Sequence, residues 1–224
     1  PRPCACCTRA GANLTHETNT MSEAVFTFDA DAHVYRLNGA ALPSVTSVIR
    51  AVVPSWEVGD YFLQRGRATH YGCHLLDAGT LDHDTVAEEI RPRIAAWAKF
   101  RADFPAEIVA SEMPYAHKMF RYAGTLDRLL KDQHGDLLVA DLKNSISPHV
   151  IPQLGAYSLL WTANHPTQKL RKAVAVELRD NGTYACQWLT APELRRAEQT
   201  FLAMLTVYGF IQQHNLLKES TNGR

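Results

Sequence analysis

Neither sign of charge dominates this sequence. Its 224 residues carry 23 lysines and arginines against 23 aspartates and glutamates, so the formal net charge is zero. A balanced charge argues against a strongly basic protein that coats nucleic acid without preference. It does not exclude a nucleic-acid enzyme, because a carboxylate-rich site can offset a basic groove elsewhere.

Cysteine is scarce, and its distribution gives no disulfide framework. Three of the five cysteines crowd the N-terminus, at Cys4, Cys6 and Cys7, while Cys73 and Cys186 stand alone. An odd number cannot all pair within one chain. Reduced thiols of a cytoplasmic protein are the expectation.

Long apolar runs are absent as well. No window reaches the roughly 18 apolar residues that a membrane helix needs, and the N-terminus lacks the apolar core of a signal peptide. We therefore expect no membrane association. The first 22 residues are predicted to be a disordered tail or an upstream extension, and 218–224 a polar tail. No G-x-x-x-x-G-K-[ST] stretch occurs, so no ATP site is expected.

What remains, 23–217, is predicted to be one domain with its core at about 64–190. Helical periodicity or end signals mark five segments, and short apolar runs with turn signals mark strands. The helices are expected at 44–54, 57–78, 82–104, 150–164 and from 190 onward, and the strands within 25–37, 107–115, 122–144, 173–178 and 184–189. This order predicts an α/β fold, a central mixed β-sheet flanked by helices, with an N-terminal helical region.

The segment 122–144 carries the most informative charges. It is predicted to be a β-hairpin, and symmetric pairing about His134 sets Asp127 opposite Asp141. Asp141 and Lys143 are two residues apart on one strand, so their side chains share a face. Two carboxylates and a lysine then converge in an apolar sheet, which is costly unless they are paired or bind a cation.

This convergence suits phosphodiester hydrolysis. A divalent metal held by Asp127 and Asp141 could activate water and neutralise charge, and Mg²⁺ typically takes only one or two carboxylates. Lys143 could orient or deprotonate the water, or stabilise the transition state. The alternative is a plain salt bridge between Asp141 and Lys143, or a sheet edge that faces water.

Other candidates lie on neighbouring elements. His70 could bind the metal through its imidazole, and Glu112 could be a further ligand; each could equally be structural. Gly66, on the same helix as His70, would allow a backbone or a phosphate to approach. A zinc site with His74 has little support, because no glutamate follows His70 as it does in H-E-x-x-H.

Two further pairs are candidates for contacts with substrate. Gln153 and Tyr157 are spaced i, i+4 and share a helix face, from which they could reach the site. Arg65 and Arg67 flank Gly66 and could bind a phosphate backbone. Ordinary solvated positions are the alternative for both pairs.

Taken in order, these motifs resemble those of the PD-(D/E)XK nuclease superfamily, and most of all its RecB-like branch, which includes phage recombination exonucleases. The resemblance covers about 64–178. It is carried by Gly66-x-x-x-His70, Glu112, Gly124-Thr-Leu-Asp127, Asp141-Leu-Lys143 and Gln153-x-x-x-Tyr157.

The resemblance implies a restriction-endonuclease-like core and a role for each matching residue. Asp127, Asp141, the backbone carbonyl of Leu142 and His70 would hold Mg²⁺, for which Mn²⁺ can substitute, with Glu112 as a less secure ligand. Lys143 would be the catalytic lysine. Gln153 and Tyr157 would position the DNA and the lysine, and would complete a catalytic set made of Asp127, Asp141, Lys143, Gln153 and Tyr157.

Two local departures from the family pattern stand out. Asp141 occupies a position where many members have glutamate, and Asn144-Ser145 replaces the Thr/Ser-Gly that often follows the lysine. Some RecB-like members hold an iron–sulfur cluster on one cysteine before the core and three after it. No cysteine follows Cys186, so no such cluster is expected.

The leading functional hypothesis is a Mg²⁺-dependent DNA exonuclease that acts in recombination, repair or DNA-end processing. A site-specific endonuclease of the same fold is one alternative, and a non-catalytic nuclease-like module that binds DNA or a partner is another. DNA is the expected partner, and the resemblance adds a single-strand annealing protein or a helicase. The resemblance also implies the cytoplasm of a bacterium or of a phage-infected host cell. The sequence does not indicate an oligomeric state.

Overall fold

The computed structural model describes residues 24–53 and 59–216. Both predicted tails lie outside these ranges, as does Glu57, the predicted first residue of the second helix. Within them, no helix is both long and apolar enough to cross a bilayer.

A small antiparallel sheet opens the described chain. Its strands are β1 (Phe26–Asp29), β2 (Val34–Leu37) and β3 (Ala40–Leu42), in the order β1-β2-β3. The first two form the predicted hairpin. The third strand was not predicted; the Asn38-Gly39 turn before it has positive φ at both residues, as a tight hairpin turn requires.

A five-stranded mixed sheet forms the centre. Its strands are β4 (Glu107–His117), β5 (Tyr122–Lys131), β6 (Leu137–Lys143), β7 (Leu170–Leu178) and β8 (Tyr184–Leu189). They lie in chain order, and every neighbouring pair is antiparallel except β6 and β7, which are parallel. The predicted mixed sheet is therefore confirmed.

Five α-helices surround this sheet: α1 (Val45–Val52), α2 (Asp60–Asp77), α3 (Arg91–Asp103), α4 (Val150–Asn164) and α5 (Ala191–Gln213). Their ends follow the sequence signals. The side chain of Ser44 caps α1, Gly79 has φ of 68° directly after the C-cap of α2, and Thr190 and Glu193 form a capping box on α5.

The predicted helix at 82–104 was wrong in its first third. A short 3₁₀ turn (His83–Thr85) comes first, and α3 begins only at Arg91. Pro92 explains the difference, because proline has no N–H to donate and is tolerated only in the first turn of a helix.

The helices form one layer on each face of the central sheet. On one face α1, α4 and α5 enclose a core that includes Leu129 and Val139. On the other, α2 and α3 pack with Leu130 and Leu138. Alternate residues of β6 thus belong to different cores, so Asp141 and Lys143 share the α4 face with Val139. Arg128 of β5 lies on the α2–α3 face, where it contacts Asp77 and Trp97.

Candidate active site

Three carboxylates stand in one row across the central sheet. The neighbouring pairs in the β4–β5 ladder put Glu112 opposite Asp127. The β5–β6 ladder ends with Arg128 and Ala140, one step before Asp127 and Asp141. The predicted register about His134 is therefore confirmed, and a third acid joins the two that the hairpin alone predicted.

Strands β5 and β6 stop pairing at this row. The backbone N–H of Leu142 donates instead to Asp127 Oδ2, over 2.8 Å. Asp127 thus replaces a strand partner, and its buried side chain is held in place by the backbone of β6. The carbonyl of Leu142 as a metal ligand stays a prediction, since only its N–H has a described contact with the site.

His70 of α2 approaches the row from the side. Its Nδ1 lies 3.5 Å from Asp127 Oδ2. One ligand atom each from His70, Glu112 and Asp127 lies within 4.8 Å of the others, so the three could hold a metal ion. Two carboxylate oxygens and an imidazole nitrogen form a donor set that suits Mn²⁺ well and Mg²⁺ acceptably.

Asp141 is the next acid in the row, but it does not belong to that group of three. It is fully buried, and its Oδ2 lies 2.7 Å from Lys143 Nζ, as the predicted shared face requires. No well-oriented hydrogen bond reaches Oδ2 within the described residues. The Lys143 ammonium therefore balances the charge of this buried oxygen.

Gln153 and Tyr157 of α4 cover Asp141. The Gln153 amide donates to Asp141 Oδ1 over 3.4 Å and to the Tyr157 hydroxyl over 2.8 Å. Both side chains are almost fully buried and line the same cleft. The i, i+4 pair therefore does face the site, and it holds one oxygen of Asp141 while Lys143 contacts the other.

Crowding of these acids changes their protonation. Burial, followed by the charge of Asp127, raises the pKa of Glu112 to about 7. Burial likewise raises the pKa of Asp141, against the effect of Lys143. For Lys143, burial opposes the ammonium form, but Asp141 and Asp127 outweigh it and the pKa is raised. A bound cation would favour the ionised carboxylates.

Glu112 owes its position to an unusual backbone. Its φ of 52° is in the left-handed region, which is rare for a glutamate in a strand. One carboxylate oxygen accepts from Arg128 Nη1 over 2.9 Å. Arg128 is itself buried and bonds Asp77 of α2 through Nε over 2.7 Å. Strain of this kind is often found at functional sites.

A cleft of about 1010 Å³ opens onto the row. It lies between the small sheet, the N-terminal half of α2 and the ends of β5 and β6. Arg65, Gly66 and Arg67 line it together with His70, so the arginines predicted to bind nucleic acid do border the site. A Cβ on Gly66 would stand 3.3 Å from Asn144 Nδ2, so it is a side-chain amide that approaches this glycine.

One predicted candidate, His74, has a partner outside the site, and other residues near the site were not predicted from the sequence. His74 Nδ1 bonds Ser111 Oγ at 2.8 Å, which gives it a structural contact instead of a metal role. Asp77 and Arg93 were not predicted to matter. A lone arginine or aspartate in a helix or strand gives no periodic signal, so only the tertiary structure reveals these contacts.

No protein-family model matches this chain, and no curated protein matches it. Among solved structures it is similar to the alkaline exonuclease LHK-Exo from Laribacter hongkongensis, at 14% identity and a TM-score of 0.36 over 77% of this chain and 92% of that one. LHK-Exo in complex with dAMP matches at 13% identity and 0.36, over 78% and 93%. SSO0001 matches at 18% identity and 0.34, over 71% and 75%.

Alkaline exonucleases are thus among the structural neighbours of this chain.

Proposed function

We propose that this protein is a metal-dependent deoxyribonuclease of the PD-(D/E)XK type, with its active site at the row of acids. One observation carries the proposal. Glu112, Asp127 and Asp141 stand level on three neighbouring strands, with His70 beside them and Lys143 in contact with Asp141. Paired acids beside a lysine suit the hydrolysis of a phosphodiester bond.

The residues that would hold the metal are His70, Glu112, Asp127 and Asp141. Their fit is supported by the ligand atoms of His70, Glu112 and Asp127 within 4.8 Å of one another and by the place of Asp141 next to Asp127 in the row. A bound Mg²⁺ or Mn²⁺ supplies a more acidic water and a positive charge against the phosphate oxygens.

The protein's own groups do the positioning. Lys143, two residues after Asp141 and facing the cleft, places an ammonium where negative charge develops on the phosphate. Gln153 keeps Asp141 and Tyr157 in a fixed arrangement through its two hydrogen bonds. Arg65 and Arg67 offer positive charge to the DNA backbone along the cleft.

The finer assignment is an exonuclease that works at DNA ends in recombination, repair or end processing. Its support is the order of the sequence motifs, which is most similar to the branch that contains phage recombination exonucleases. A single-strand annealing protein or a helicase is the partner class that goes with this assignment.

The proposal is tested by incubating end-labelled linear duplex and covalently closed circular DNA with Mg²⁺, with Mn²⁺ or with EDTA. Asp141→Ala is the active-site variant, and Asp136→Ala, a partly exposed acid in the preceding turn, is the control. We expect metal-dependent degradation of the linear DNA alone, lost in Asp141→Ala and kept in Asp136→Ala.

Other results are equally decisive. Cleavage of the covalently closed circular DNA would show that the protein is an endonuclease of the same fold. If neither DNA is cut and single strands are also left intact, while metal still binds, a non-catalytic binding module replaces the enzyme.

A further inference from the structure

Arg128 of β5 is a fully buried arginine that contacts the row of acids from the α2–α3 side of the sheet. Its Nη1 donates to Glu112 Oε1 over 2.9 Å and to the backbone carbonyl of Asp127 over 2.6 Å. Both acceptors belong to residues of the proposed metal site, one on β4 and the other on β5. A single guanidinium nitrogen therefore braces two neighbouring strands at the level of the row.

Asp77 of α2 fixes the other side of this guanidinium. Its Oδ2 accepts from Arg128 Nε over 2.7 Å. Its Oδ1 accepts from two groups of α3, Trp97 Nε1 over 2.9 Å and Arg101 Nη1 over 2.7 Å. Only 5% of the Asp77 side chain is exposed. Both oxygens of the carboxylate are thus occupied, and α3 holds Asp77 in the orientation in which it bonds Arg128.

The same helix carries His70. Asp77 follows it by two helical turns, so both side chains lie on one face of α2. His70 Nδ1 is 3.5 Å from Asp127 Oδ2, whereas Asp77 reaches the row only through Arg128. Helix α2 is therefore tied to the row of acids at two points, once by a proposed metal ligand and once by this relay.

Glu112 is the acid of the row that depends most on such support. Its backbone has the positive φ described above, and 37% of its side chain is exposed. A long and partly exposed side chain loses rotamer freedom when one orientation is fixed. Within the described residues only Oε1 takes part in a hydrogen bond, the one from Arg128. The orientation of the carboxylate therefore rests on Arg128, and Oε2 has no partner among these residues.

The buried pair of Arg128 and Asp77 contributes geometry more than stability. Taking two charges out of water has a penalty that can exceed their mutual attraction. A planar guanidinium does fix geometry, because its N–H groups point in set directions. The positive charge of Arg128 also repels a cation, so its benefit to a metal site lies in the orientation of Glu112 and not in its charge.

We propose that Arg128, oriented by Asp77, is a positioning residue that holds the Glu112 carboxylate where it completes a metal site with His70 and Asp127. Carboxylates that bind metals are themselves hydrogen-bonded, and losing such a partner typically weakens metal binding by about 10- to 100-fold. The inference rests on the metal site of the proposed function. It adds two residues to that site, Arg128 and Asp77, neither of which lines the cleft.

The test measures the Mn²⁺ affinity of the full chain by calorimetry, without DNA and at constant ionic strength. Arg128→Lys keeps the positive charge and removes the planar fork. Arg101→Lys is the matched control, because Arg101 bonds the same Asp77 but makes no hydrogen bond to an acid of the row in the described structure. We expect Arg128→Lys to weaken Mn²⁺ binding by about tenfold or more, and Arg101→Lys by less than about twofold.

A double-mutant cycle with Glu112→Gln separates positioning from a general loss of structure. If Arg128 acts through Glu112, the effect of Arg128→Lys on Mn²⁺ affinity disappears in the Glu112→Gln background, where the carboxylate is gone. If Arg128 acts through packing of the sheet, the same loss of affinity appears in both backgrounds, and the inference is overturned.

Asp77→Asn decides the matter if Arg128→Lys does not fold. Asparagine can keep its Oδ1 for Trp97 and Arg101, and it replaces by an amide NH₂ only the oxygen that accepts from Arg128 Nε. This variant changes no residue of the row. We still expect it to weaken Mn²⁺ binding by about tenfold, and to have no further effect in the Glu112→Gln background.

Wild-type-like Mn²⁺ affinity in both Arg128→Lys and Asp77→Asn, or no saturable Mn²⁺ binding by the wild type, would also overturn the inference. The proposed function is judged separately by metal-dependent cleavage of linear DNA. A loss of Mn²⁺ affinity that depends on Glu112, in a protein that cuts no DNA, would keep the positioning residue and reject the nuclease. A protein that cuts DNA while both variants keep full Mn²⁺ affinity would do the reverse.

Discussion

Lys143 touches Asp141 at 2.7 Å while 22% of its side chain remains exposed to the cleft. Replacing it by methionine keeps most of the side-chain volume and removes the charge. If the ammonium stabilises the phosphate during hydrolysis, Lys143→Met should lower kcat by at least about 100-fold. Initial rates on linear DNA, measured beside circular dichroism of the variant, check this.

Lys131→Met is the matched control, because Lys131 lies on the neighbouring strand, half exposed, with only a loose contact to Glu107 at 3.6 Å. It should leave kcat within about twofold, as expected of an exposed ion pair. Equal activity of Lys143→Met and Lys131→Met would remove Lys143 from the mechanism.

Single residues differ in how far the sequence could reveal them. Asp127, Asp141 and Lys143 could be found because strand alternation and a symmetric turn fix where they point. The left-handed backbone of Glu112 could not, since nothing in its neighbourhood indicates a positive φ. Arg93 was equally hidden, because its partner Leu178 lies 85 residues away and its contact depends on tertiary packing.

At the scale of elements, Gly155 lets α4 pack closely against the backbone of α5. A Cβ there would overlap the backbone of Ala197 and Glu198, which cannot move as a side chain can. Gly155→Ala should therefore cost about 1–3 kcal/mol in the free energy of unfolding, measured by urea denaturation.

Gly209→Ala provides the comparison, because it is the same change in a helix, at a position where an added Cβ meets nothing within 4 Å. It should stabilise the protein by about 0.5–1 kcal/mol through helix propensity. A stabilising Gly155→Ala would mean that α4 and α5 are further apart than described.

The turn between β5 and β6 depends on Asp132. One oxygen accepts the backbone N–H groups of His134 and Asp136, and the other accepts from Lys172 Nζ over 2.6 Å. The bond from Lys172 is the main reason that the pKa of Asp132 is lowered. Asp132→Asn should therefore destabilise the fold by about 1–2 kcal/mol at pH 7.

The sign of the pH dependence follows from that lowered pKa. The stabilisation is fully present above the unfolded-state pKa of about 4, and it is lost as the pH falls through the lower folded-state value. The difference between wild type and Asp132→Asn should thus shrink on acidification. Asp136→Asn, whose carboxylate is 46% exposed and 3.9 Å from Arg171, should show almost no difference at either pH. If the difference in unfolding free energy between wild type and Asp132→Asn did not change with pH, the charge of Asp132 would be excluded as its cause.

Elements were predictable where their signals are local. The helix at Val150–Asn164 and the strand at Tyr184–Leu189 have the predicted bounds, set by apolar pattern and by Asn181-Gly182. The prediction of a long helix from residue 82 was wrong because it followed the apolar periodicity and ignored Pro92, which is tolerated only in the first turn of a helix. The third short strand was missed because three residues are too few to show alternation.

At the scale of the whole molecule, the two helical layers and the sheet bring together groups that are far apart in sequence. His70 of α2, Glu112 of β4 and Asp127 of β5 meet at the place where β5 and β6 separate. Sequence order could suggest that they share a site, but their distances depend on how both layers pack against the sheet. Folding and assembly of the proposed metal site are therefore one process.

This coupling predicts that metal stabilises the fold. A ligand that binds only the native state adds RT ln(1 + [L]/Kd), or about 2.7 kcal/mol when its concentration is 100 times Kd. Mn²⁺ should therefore raise the Tm of the wild type relative to EDTA, and Asp127→Asn should lose most of that rise. Glu107→Gln, an exposed acid on β4, should respond as the wild type does. If Asp127→Asn kept the full rise, the metal would bind elsewhere, and the row of acids would be held by Lys143, Arg128 and His70 alone.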